Sequence, residues 1–515
     1  MKLIIVSVIL FISTQSLQCA RILGIFPTPS ISHQVVFHAL VKDLAARGHE
    51  LTVLTTDLIK LDNPNVTQID LHDSYELFRR EFNFVEFKTS GADETGLFDF
   101  FFPVMMKFLE LQVTHPEVQK LIHKKENYQF DIVIIEHLHY MPMMAFAEIY
   151  DCPIIGITSL DTFNENHERL GNAANPVINP EILFSFIQGQ LTFFERYKAL
   201  KFYIMHNYFN KQKYEKLMKK FIKTHFPNVT TNLDDIKNRL QFLMTNTHPA
   251  LGFIRPILPN TIQLGFMYIE PPQQLKEGKL KKFLDKSEHG VIYMSLGSNV
   301  QSKDLGQEIL NIFLKVFGNL KYDVLWKFES DHLPNKPKNV MIQKWLPQAD
   351  LLAHPKIRLF ITQGGQQSME ETIDRTVPTI VIPFLADQDG NAKRMEQRNF
   401  GKHLDLNSLS EEKLRTTIHE MVKPIYKENI KEFRKLVYDQ PMSSREKAVW
   451  WTEYVIRHKG AKHLEYSGIK IPFYQKYFFD FTIIMISSVT FFITSVYFLM
   501  KKCIYAPTIS VKKFQ

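Results

Sequence analysis

The residues of this 515-residue chain that are best suited to chemistry lie between Trp345 and Asn391. Two apolar runs in this stretch, IRLFIT and TIVIP, each end in a polar segment, which is where α/β folds place ligand-binding residues. Between the runs, Gly364 and Gly365 allow backbone N–H groups to approach a ligand closely, and residues 366–374 read as a helix that begins there. Since the N-terminus of a helix favours negative charge, the stretch predicts an anion-binding site.

A histidine and a glutamate follow two strands that are predicted near the start of the chain. RILGIF reads as a buried strand and residues 35–47 read as a helix, which places His33 in the loop between them. The run DIVII predicts another strand of the same sheet, and Glu136 follows it directly. Both side chains are therefore expected at the carboxyl edge of one parallel sheet, where α/β folds bind their ligands.

The elements that position these residues form two α/β units. RILGIF, the helix after it and the run LTVLT complete a β-α-β unit at the start of a parallel sheet. Residues 248–268 carry three prolines and read as a linker out of this unit. Strand-like runs then recur from Val291 onward with helical patterns between them, which predicts a second doubly wound unit.

Composition and cysteine usage narrow the functional classes. The 62 basic residues are interleaved with 54 acidic ones, so the net charge of +8 forms no basic block and nucleic-acid binding is not expected. Cys19 lies in an N-terminal leader and Cys503 lies beyond an apolar run near the C-terminus, which leaves Cys152 without a partner for a disulfide.

The two ends of the chain carry targeting signals. Residues 1–20 combine an early lysine, an apolar run and a small residue at position 20, as a secretory signal peptide does. The uncharged residues 481–500 are long enough to span a bilayer at about 1.5 Å per residue, and the lysines after them place the tail in the cytosol. This predicts a type I membrane protein whose lumenal part offers glycosylation sequons at Asn65 and Asn228.

The stretch around the two glycines closely resembles the signature of the UDP-glycosyltransferase superfamily. The segment FPTPSISHQ and the residue Gln363 resemble arthropod members, and YDQPMSSREKAVWWTEYVIRHKGAKHL resembles the juxtamembrane part of membrane-bound animal members. One position departs from the signature, because Gln363 stands where the family usually has histidine. The positions that carry the resemblance are Trp345, Pro347, Gln348, His354, Pro355, Phe360, Thr362, Gly364, Gly365, Glu371, Val377, Pro378, Pro383, Asp387 and Gln388.

The resemblance implies an α/β protein of the GT-B fold, in which two doubly wound Rossmann-like domains face a cleft. The implied organisation is a signal peptide at 1–20, an N-terminal acceptor-binding domain at 21–250, a C-terminal UDP-sugar-binding domain with closing helices at 251–464, a juxtamembrane linker at 465–480, a transmembrane helix at 481–500 and a cytosolic tail at 501–515.

The resemblance also implies roles for individual residues. His33 matches the catalytic base, and Glu136 occupies the place of the aspartate that orients it. Arg255 is a candidate contact for the carboxylate of a glucuronate donor. The implied contacts to the UDP-sugar are made by Ser298, Trp345, Gln348, Gln363, Gly364, Gly365, Ser368, Glu371, Asp387, Gln388 and Asn391.

Three further segments are open to two interpretations each. Asp387-Gln388-Asp389 forms a D-x-D string that binds a metal in other glycosyltransferases, but it stands where this family grips the sugar, and no metal or other cofactor is expected. The aromatic residues 96–113 could line a pocket for an apolar acceptor or form a core helix. Residues 182–226 predict a helical insertion over the acceptor side, with contact to a membrane surface left open.

The function implied is an inverting transfer of a hexose from UDP to a hydroxyl of a small lipophilic acceptor, as in detoxification or in hormone or pigment conjugation. Glucose is favoured as the sugar and glucuronate stays open. The expected location is the membrane of the endoplasmic reticulum, because Lys512 and Lys513 resemble a retrieval signal. A homo-oligomer is left open, and the alternative from another class is a non-catalytic carrier or receptor for lipophilic ligands.

Overall fold

The structure, a computed structural model, describes residues 19–90, 94–230 and 232–505. The chain divides after Glu465 into two compact units, residues 1–465 and residues 466–515. Most of the predicted leader and all of the last ten residues, with Lys512 and Lys513, lie outside the described residues.

The first sheet is parallel throughout and consists of seven strands in the order β3-β2-β1-β4-β5-β6-β7. Its central strands are apolar without interruption, as strands covered by helices on both faces must be. The strands are β1 (Arg21–Phe26), β2 (Glu50–Thr55), β3 (Val66–Asp70), β4 (Ile132–Glu136), β5 (Ile154–Thr158), β6 (Leu240–Thr245) and β7 (Thr261–Gln263).

The helices around this sheet follow the predicted β-α alternation. Among them, α4 contains the aromatic segment, and its Phe98, Phe102 and Phe108 are buried in the core, so this segment is a core helix. The helices are α1 (Ile31–Ala46), α2 (Ser74–Glu81), α3 (Phe84–Thr89), α4 (Glu94–Val113), α5 (Pro116–His123), α6 (Ala145–Ile149), α7 (Asn164–Arg169), α8 (Phe193–Ile204), a π-helical turn (Met205–Asn210), α9 (Lys211–His225) and α10 (Leu233–Lys237).

The second sheet is also parallel and has the order β10-β9-β8-β11-β12-β13. Its strands are β8 (Val291–Ser295), β9 (Asp323–Lys327), β10 (Val340–Gln343), β11 (Ile357–Thr362), β12 (Thr379–Val381) and β13 (Gly401–His403). The helices are α11 (Lys279–Lys286), α12 (Gln307–Gly318), α13 (Gln348–Leu352), α14 (Gln366–Arg375), α15 (Gln388–Gln397), α16 (Glu411–Met421), α17 (Pro424–Tyr438) and α18 (Ser444–Arg457).

The chain crosses between the two sheets at two places. Strand β7 lies beyond residue 250, the predicted end of the first domain, and yet pairs with β6 in the first sheet. Helix α18 follows the last helices of the second sheet but packs against α1, where Arg445 Nε lies 2.7 Å from Asp43 Oδ2. Its Ala448, Val449 and Val455 join the core on that face of the first sheet.

The second unit is helical, with α19 (Phe473–Lys476) and α20 (Phe479–Ile504). Within the described part of the chain, one helix is long and apolar enough to cross a membrane, and it occupies residues 479–502. This range contains the predicted span at 481–500 and is consistent with a membrane anchor.

Candidate active site

A histidine and a glutamate meet at the carboxyl edge of the first sheet. Glu136 is the last residue of β4 and its side chain is fully buried. Its Oε1 lies 2.7 Å from Nδ1 of His33. The expected helix start was wrong: α1 begins at Ile31, directly after the extended Ser30, so His33 lies in the first turn of the helix and not in the loop before it.

Two residues that the sequence did not single out hold the other oxygen of Glu136. Thr28 donates both its backbone N–H, at 3.1 Å, and its hydroxyl, at 2.6 Å, to Oε2. Tyr140 lies 2.6 Å from the Thr28 hydroxyl, and burial raises the pKa of its phenol, so it stays protonated and donates. Glu136 is thus fixed at both oxygens. The proline-flanked PTP segment was the only sequence sign of a constrained loop at Thr28.

Side chains from the two sheets meet at this edge. Asn299, which follows β8, donates to the Ser30 hydroxyl at 3.0 Å. Gln367 of α14 donates to the carbonyl of Ser159 after β5 at 2.7 Å, and Asn246 after β6 donates to Glu370 at 3.2 Å. The carboxyl ends of both sheets therefore face each other across one cleft.

A group of hydrogen-bonded side chains gathers around Gln348. Its amide nitrogen donates to Glu371 at 2.6 Å and to Ser368 at 3.1 Å, and its oxygen accepts from the Tyr293 hydroxyl at 3.0 Å. Burial raises the pKa of Glu371 to about 7. The structure thus brings together the predicted residues Gln348, Ser368 and Glu371. It adds Tyr293, a residue of β8 that no sequence pattern marks as part of a site.

Trp345 lies just before α13 and is 63% exposed, which is unusual for so large an apolar side chain. The Lys327 ammonium is 5.9 Å from the centre of its ring. An exposed indole of this kind offers a ring face for stacking by a flat ligand.

A second group surrounds Asp387. Its Oδ2 accepts from the Asn391 amide at 2.6 Å and from the backbone N–H of Gln366 at 3.1 Å. The Asn391 amide also donates to the carbonyl of Gly364 at 2.8 Å, and the Gln388 oxygen accepts from the N–H of Phe384 at 2.8 Å. The first N–H of α14 therefore already meets a carboxylate, so an anion at this helix would use the neighbouring N–H groups.

Burial disfavours the charged form of Asp387, and neighbouring side chains favour it. Burial raises the pKa of its carboxyl, while the Asn391 amide and the positive charge of Arg394 act against this rise.

Two glycines let the loops of the second sheet approach each other. Gly297 and Gly364 have φ values of +81° and +84°, which favour glycine. A side chain at Gly297 would overlap the amide of Gln363, and one at Gly364 would overlap Val381. Gln363 therefore covers the turn after β8 that carries Ser298, and its buried Oε1 has no protein partner among the described contacts.

The guanidinium of Arg255 has hydrogen-bond partners at Nη1, while its Nη2 is buried without one among the described residues. It is buried among the loops of the first sheet, where its Nη1 donates to Asn164 at 2.9 Å and to the carbonyl of Ala173 at 2.7 Å. The expected contact with a donor carboxylate stays a prediction. Arg394, which the sequence analysis missed, is the guanidinium beside Asp387, and its Nη2 donates to Asn391 Oδ1 at 2.6 Å.

Two cavities adjoin these residues. A cavity of about 70 Å³ lies between the loop at Pro29, the aromatic side chains of α2 and the turn after β8. A smaller cavity of about 20 Å³ is lined by Asp387, Arg394, Asp161 and Phe253. The first is bounded by both sheets and opens beside the segment that leads into α1.

The structure also places the predicted glycosylation sequons, the single lumenal cysteine and the D-x-D string. Asn228 is exposed in a turn and Asn65 is partly exposed just before β3. Cys152 is a buried free thiol. Within the described ranges, no three His, Cys, Asp or Glu residues are arranged to hold a metal, and the Asp389 carboxylate of the D-x-D string is near Lys88, at 3.6 Å.

Comparisons with known proteins connect this arrangement to one family. A family model described as "UDP-glucoronosyl and UDP-glucosyl transferase" matches residues 22–514. "UDP-glucosyltransferase 2" of Dactylopius coccus is 32% identical over 467 residues, covering 90% of this chain and 88% of the relative. "Ecdysteroid UDP-glucosyltransferase" of Spodoptera littoralis nuclear polyhedrosis virus is 30% identical, covering 95% and 98%. "UDP-glucuronosyltransferase 2A3" of Mus musculus is 28% identical, covering 92% and 91%.

Solved structures share the fold at lower identity. TcCGT1 in complex with UDP aligns with a TM-score of 0.57 at 13% identity, covering 86% of this chain and 100% of that chain. CalG4, the calicheamicin glycosyltransferase, aligns with a TM-score of 0.52 at 15% identity, covering 86% and 99%. These likenesses concern the arrangement of the two sheets.

Proposed function

This chain belongs to the family of UDP-glucuronosyl and UDP-glucosyl transferases and is a UDP-glycosyltransferase of the GT-B fold, and from this premise we propose which sugar it transfers, to what, and by which residues. The reaction proposed is the transfer of glucose from UDP-glucose to a hydroxyl of a small lipophilic acceptor, with inversion at the anomeric carbon. The observation that carries the proposal is the 2.7 Å contact between His33 and Glu136, at the edge of the first sheet where Ser30 meets Asn299 of the second.

The proposed mechanism is a single displacement. The His33 nitrogen that is not bonded to Glu136 removes the proton of the acceptor hydroxyl, and the acceptor oxygen attacks the anomeric carbon. The bond from that carbon to the diphosphate oxygen breaks, and UDP leaves with the electron pair. The imidazolium that forms is stabilised by Glu136, whose second oxygen is fixed by Thr28.

The donor is proposed to bind on the second sheet. Trp345 stacks on uracil, and Gln348 and Glu371 exchange their mutual hydrogen bond for bonds to the uracil edge and the ribose hydroxyls. The diphosphate is held by Ser298, Ser368, Gln363 and the N–H groups at Gly364 and Gly365. Asp387, Gln388 and Asn391 bind the sugar hydroxyls.

Glucose is preferred to glucuronate as the sugar because of what the relatives are named. Two of the relatives that match at 30% identity or more are named as glucosyltransferases, whereas the glucuronosyltransferase named above is 28% identical. No metal takes part in this proposal.

The acceptor is proposed to be a lipophilic alcohol or phenol that enters the cavity beside α2. Tyr75, Phe78 and Phe82 supply its apolar wall, and one relative is named for ecdysteroid as its substrate class. Conjugation of such compounds, in detoxification or hormone handling, is the proposed purpose. The proposed location is the membrane of the endoplasmic reticulum with the two sheets in the lumen and α20 as the single span.

The test is a transfer assay with the purified full-length protein in detergent. UDP-glucose, UDP-glucuronate and other UDP-sugars are offered with a fluorescent phenol, and His33→Ala is the matched control. We expect turnover with UDP-glucose that the variant loses. A protein that binds the phenol tightly but transfers none of the sugars would instead be a carrier on the same fold, which the intact His33, Glu371 and Asp387 argue against.

A further inference from the structure

Helix α8 and the π-helical turn after it carry an aromatic face that lies in solvent. We call Phe193, Phe194, Tyr197, Tyr208 and Phe209 the aromatic face, and these side chains are between 60% and 78% exposed. Exposed apolar residues that stand alone are ordinary, but five aromatic side chains on one short segment form a patch of the kind that marks an interaction site.

The fold does not need this face. Ala199, Phe202 and His206 lie on the opposite side of the same helical segment and are buried, so the segment already has a side that packs on the core. A helix on the surface of a soluble domain would carry polar residues on its outer side. The aromatic face is therefore explained by a partner outside the fold of the first unit.

The composition of the segment fits a lipid surface. Between Phe193 and Phe209 the chain has three Lys or Arg residues and a single acidic one, Glu195, which is bonded to the N–H of Thr192 at 2.8 Å as part of a capping box. Phenylalanine and tyrosine beside basic side chains favour the boundary between headgroups and acyl chains, where the rings are buried and the charges reach water.

The same chain carries a helix that is suited to a lipid bilayer. Helix α20 is suited to crossing a bilayer, so every other surface of the protein is tethered to that bilayer at a high effective concentration. We propose that the aromatic face docks into the bilayer that α20 spans. This inference rests on the proposed membrane anchor and is independent of the sugar and of the acceptor.

Docking at this face would bring lipid close to the catalytic strand. His206, on the buried side of the segment, has its ring centre 5.8 Å from that of His139, which follows Glu136 by three residues. A lipophilic acceptor dissolved in the bilayer would then be one helix away from the strand that carries Glu136.

Depth-dependent fluorescence quenching tests the inference on the full-length protein. Cys19, Cys152 and Cys503 are changed to Ser, and Phe194→Cys is labelled with a nitrobenzoxadiazole dye and reconstituted into phosphatidylcholine nanodiscs containing a nitroxide lipid. Leu436→Cys is the matched control, because Leu436 is also apolar and 57% exposed but lies on α17. We expect several-fold stronger quenching at position 194 than at position 436, with thermal unfolding and UDP affinity of the two variants alike.

Each other result would overturn the docking. Equal quenching at the two positions would show that position 194 has no preference for lipid. If the labelled protein shows no quenching and the unlabelled Phe194→Cys protein forms disulfide-linked dimers, a second copy of the chain covers the aromatic face. Failure of the protein to float with phosphatidylcholine vesicles would remove the anchor and the inference together, whereas a loss of sugar transfer would concern only the proposed function.

Discussion

At the scale of single residues, the carboxylate of Glu136 has two separate tasks. One oxygen holds His33, and the other is held by Thr28, so the imidazole is oriented by a group that cannot itself rotate. A glutamate reaches this position where an aspartate is usual in the family, because it ends β4 and extends toward the first turn of α1.

We expect His33→Ala to lower kcat at least about a hundredfold, the usual contribution of a positioned general base. Glu136→Gln should lower kcat less, because the amide cannot accept hydrogen bonds at both ends. UDP affinity, measured by calorimetry, should be unchanged in both variants, since the nucleotide is proposed to bind the other sheet. Near-normal turnover of His33→Ala would show that another group is the base.

We expect Arg394→Ala to raise the KM for UDP-sugar while UDP alone binds as before. Arg394 fixes the Asn391 oxygen, which turns the amide nitrogen toward Asp387, so its removal frees the residues proposed to hold the sugar. Arg394→Lys should recover part of the effect. An equal loss of affinity for UDP-sugar and for UDP would contradict this role and indicate a general disturbance of the site.

We expect UDP affinity to fall as the pH decreases through about 7, because burial raises the pKa of Glu371 to about 7 and only its ionised form accepts from both ribose hydroxyls. Below that pH the loss should approach about tenfold per unit. Titration calorimetry from pH 5.5 to 8.5 measures it. Glu371→Gln is the control, since the phosphate of UDP titrates equally in both proteins, and identical slopes would refute the assignment.

At the scale of elements, the turn after β8 depends on a glycine. Gly297 has φ +81°, and the Gln363 amide lies against it. We expect Gly297→Ala to destabilise the fold by at least about 1–2 kcal/mol from backbone strain alone and to weaken UDP binding, because the side-chain overlap displaces Gln363. Gly306→Ala is the matched control, since its added carbon meets open space. Denaturant unfolding and calorimetry should show that only the Gly297 variant changes.

The elements differ in how far the sequence could predict them. The central strands of both sheets, such as β4 and β8, are apolar runs, and the segment after Gly365 became α14 as expected. The start of α1 was placed too late, because Pro29 and Ser30 suggested a longer loop than the one that forms. Strand β7 was missed because it has only three residues within a proline-rich segment, and its pairing with β6 depends on tertiary contact.

The sequence predicts the site residues that belong to the family signature. It does not predict the residues that hold other site residues in place. Gln348, Glu371 and Asp387 belong to the signature, and they lie in the hydrogen-bonded groups described above. Thr28, Tyr140 and Tyr293 are distant in sequence from the residues they hold, so their contacts arise only when the strands are placed side by side.

At the scale of the whole molecule, buried histidines lower stability in acid. Burial lowers the pKa of His38 and of His137 to about 4, from an ordinary value of 6.5. Below pH 6.5 the unfolded chain therefore binds protons at these histidines, whereas the folded protein binds them only near pH 4. The stability that the neutral buried histidines contribute is present above pH 6.5 and is lost as the pH falls toward 4.

We expect each of these histidines to contribute a fall in the free energy of unfolding of up to about 1.4 kcal/mol per pH unit between pH 6.5 and 4, which the buried carboxyls of raised pKa, such as Glu181, partly offset. His38→Gln should make the decline shallower, as followed by thermal unfolding of the full-length protein. A decline that is equally steep in the variant would show that His38 is protonated in the folded state.

The return of α18 to the first sheet limits how the cleft can open. The two halves are joined covalently at two places, after β7 and before α18, and the second crossing is secured by Arg445 on Asp43 and by Ser444 on the Gly265 carbonyl at 2.8 Å. If both connections act as hinges, one half can rotate relative to the other only about the axis that passes through the two connections. Admission of the nucleotide and release of the product would then share one axis of rotation, and a chain cut before residue 444 would lose that axis while keeping both sheets.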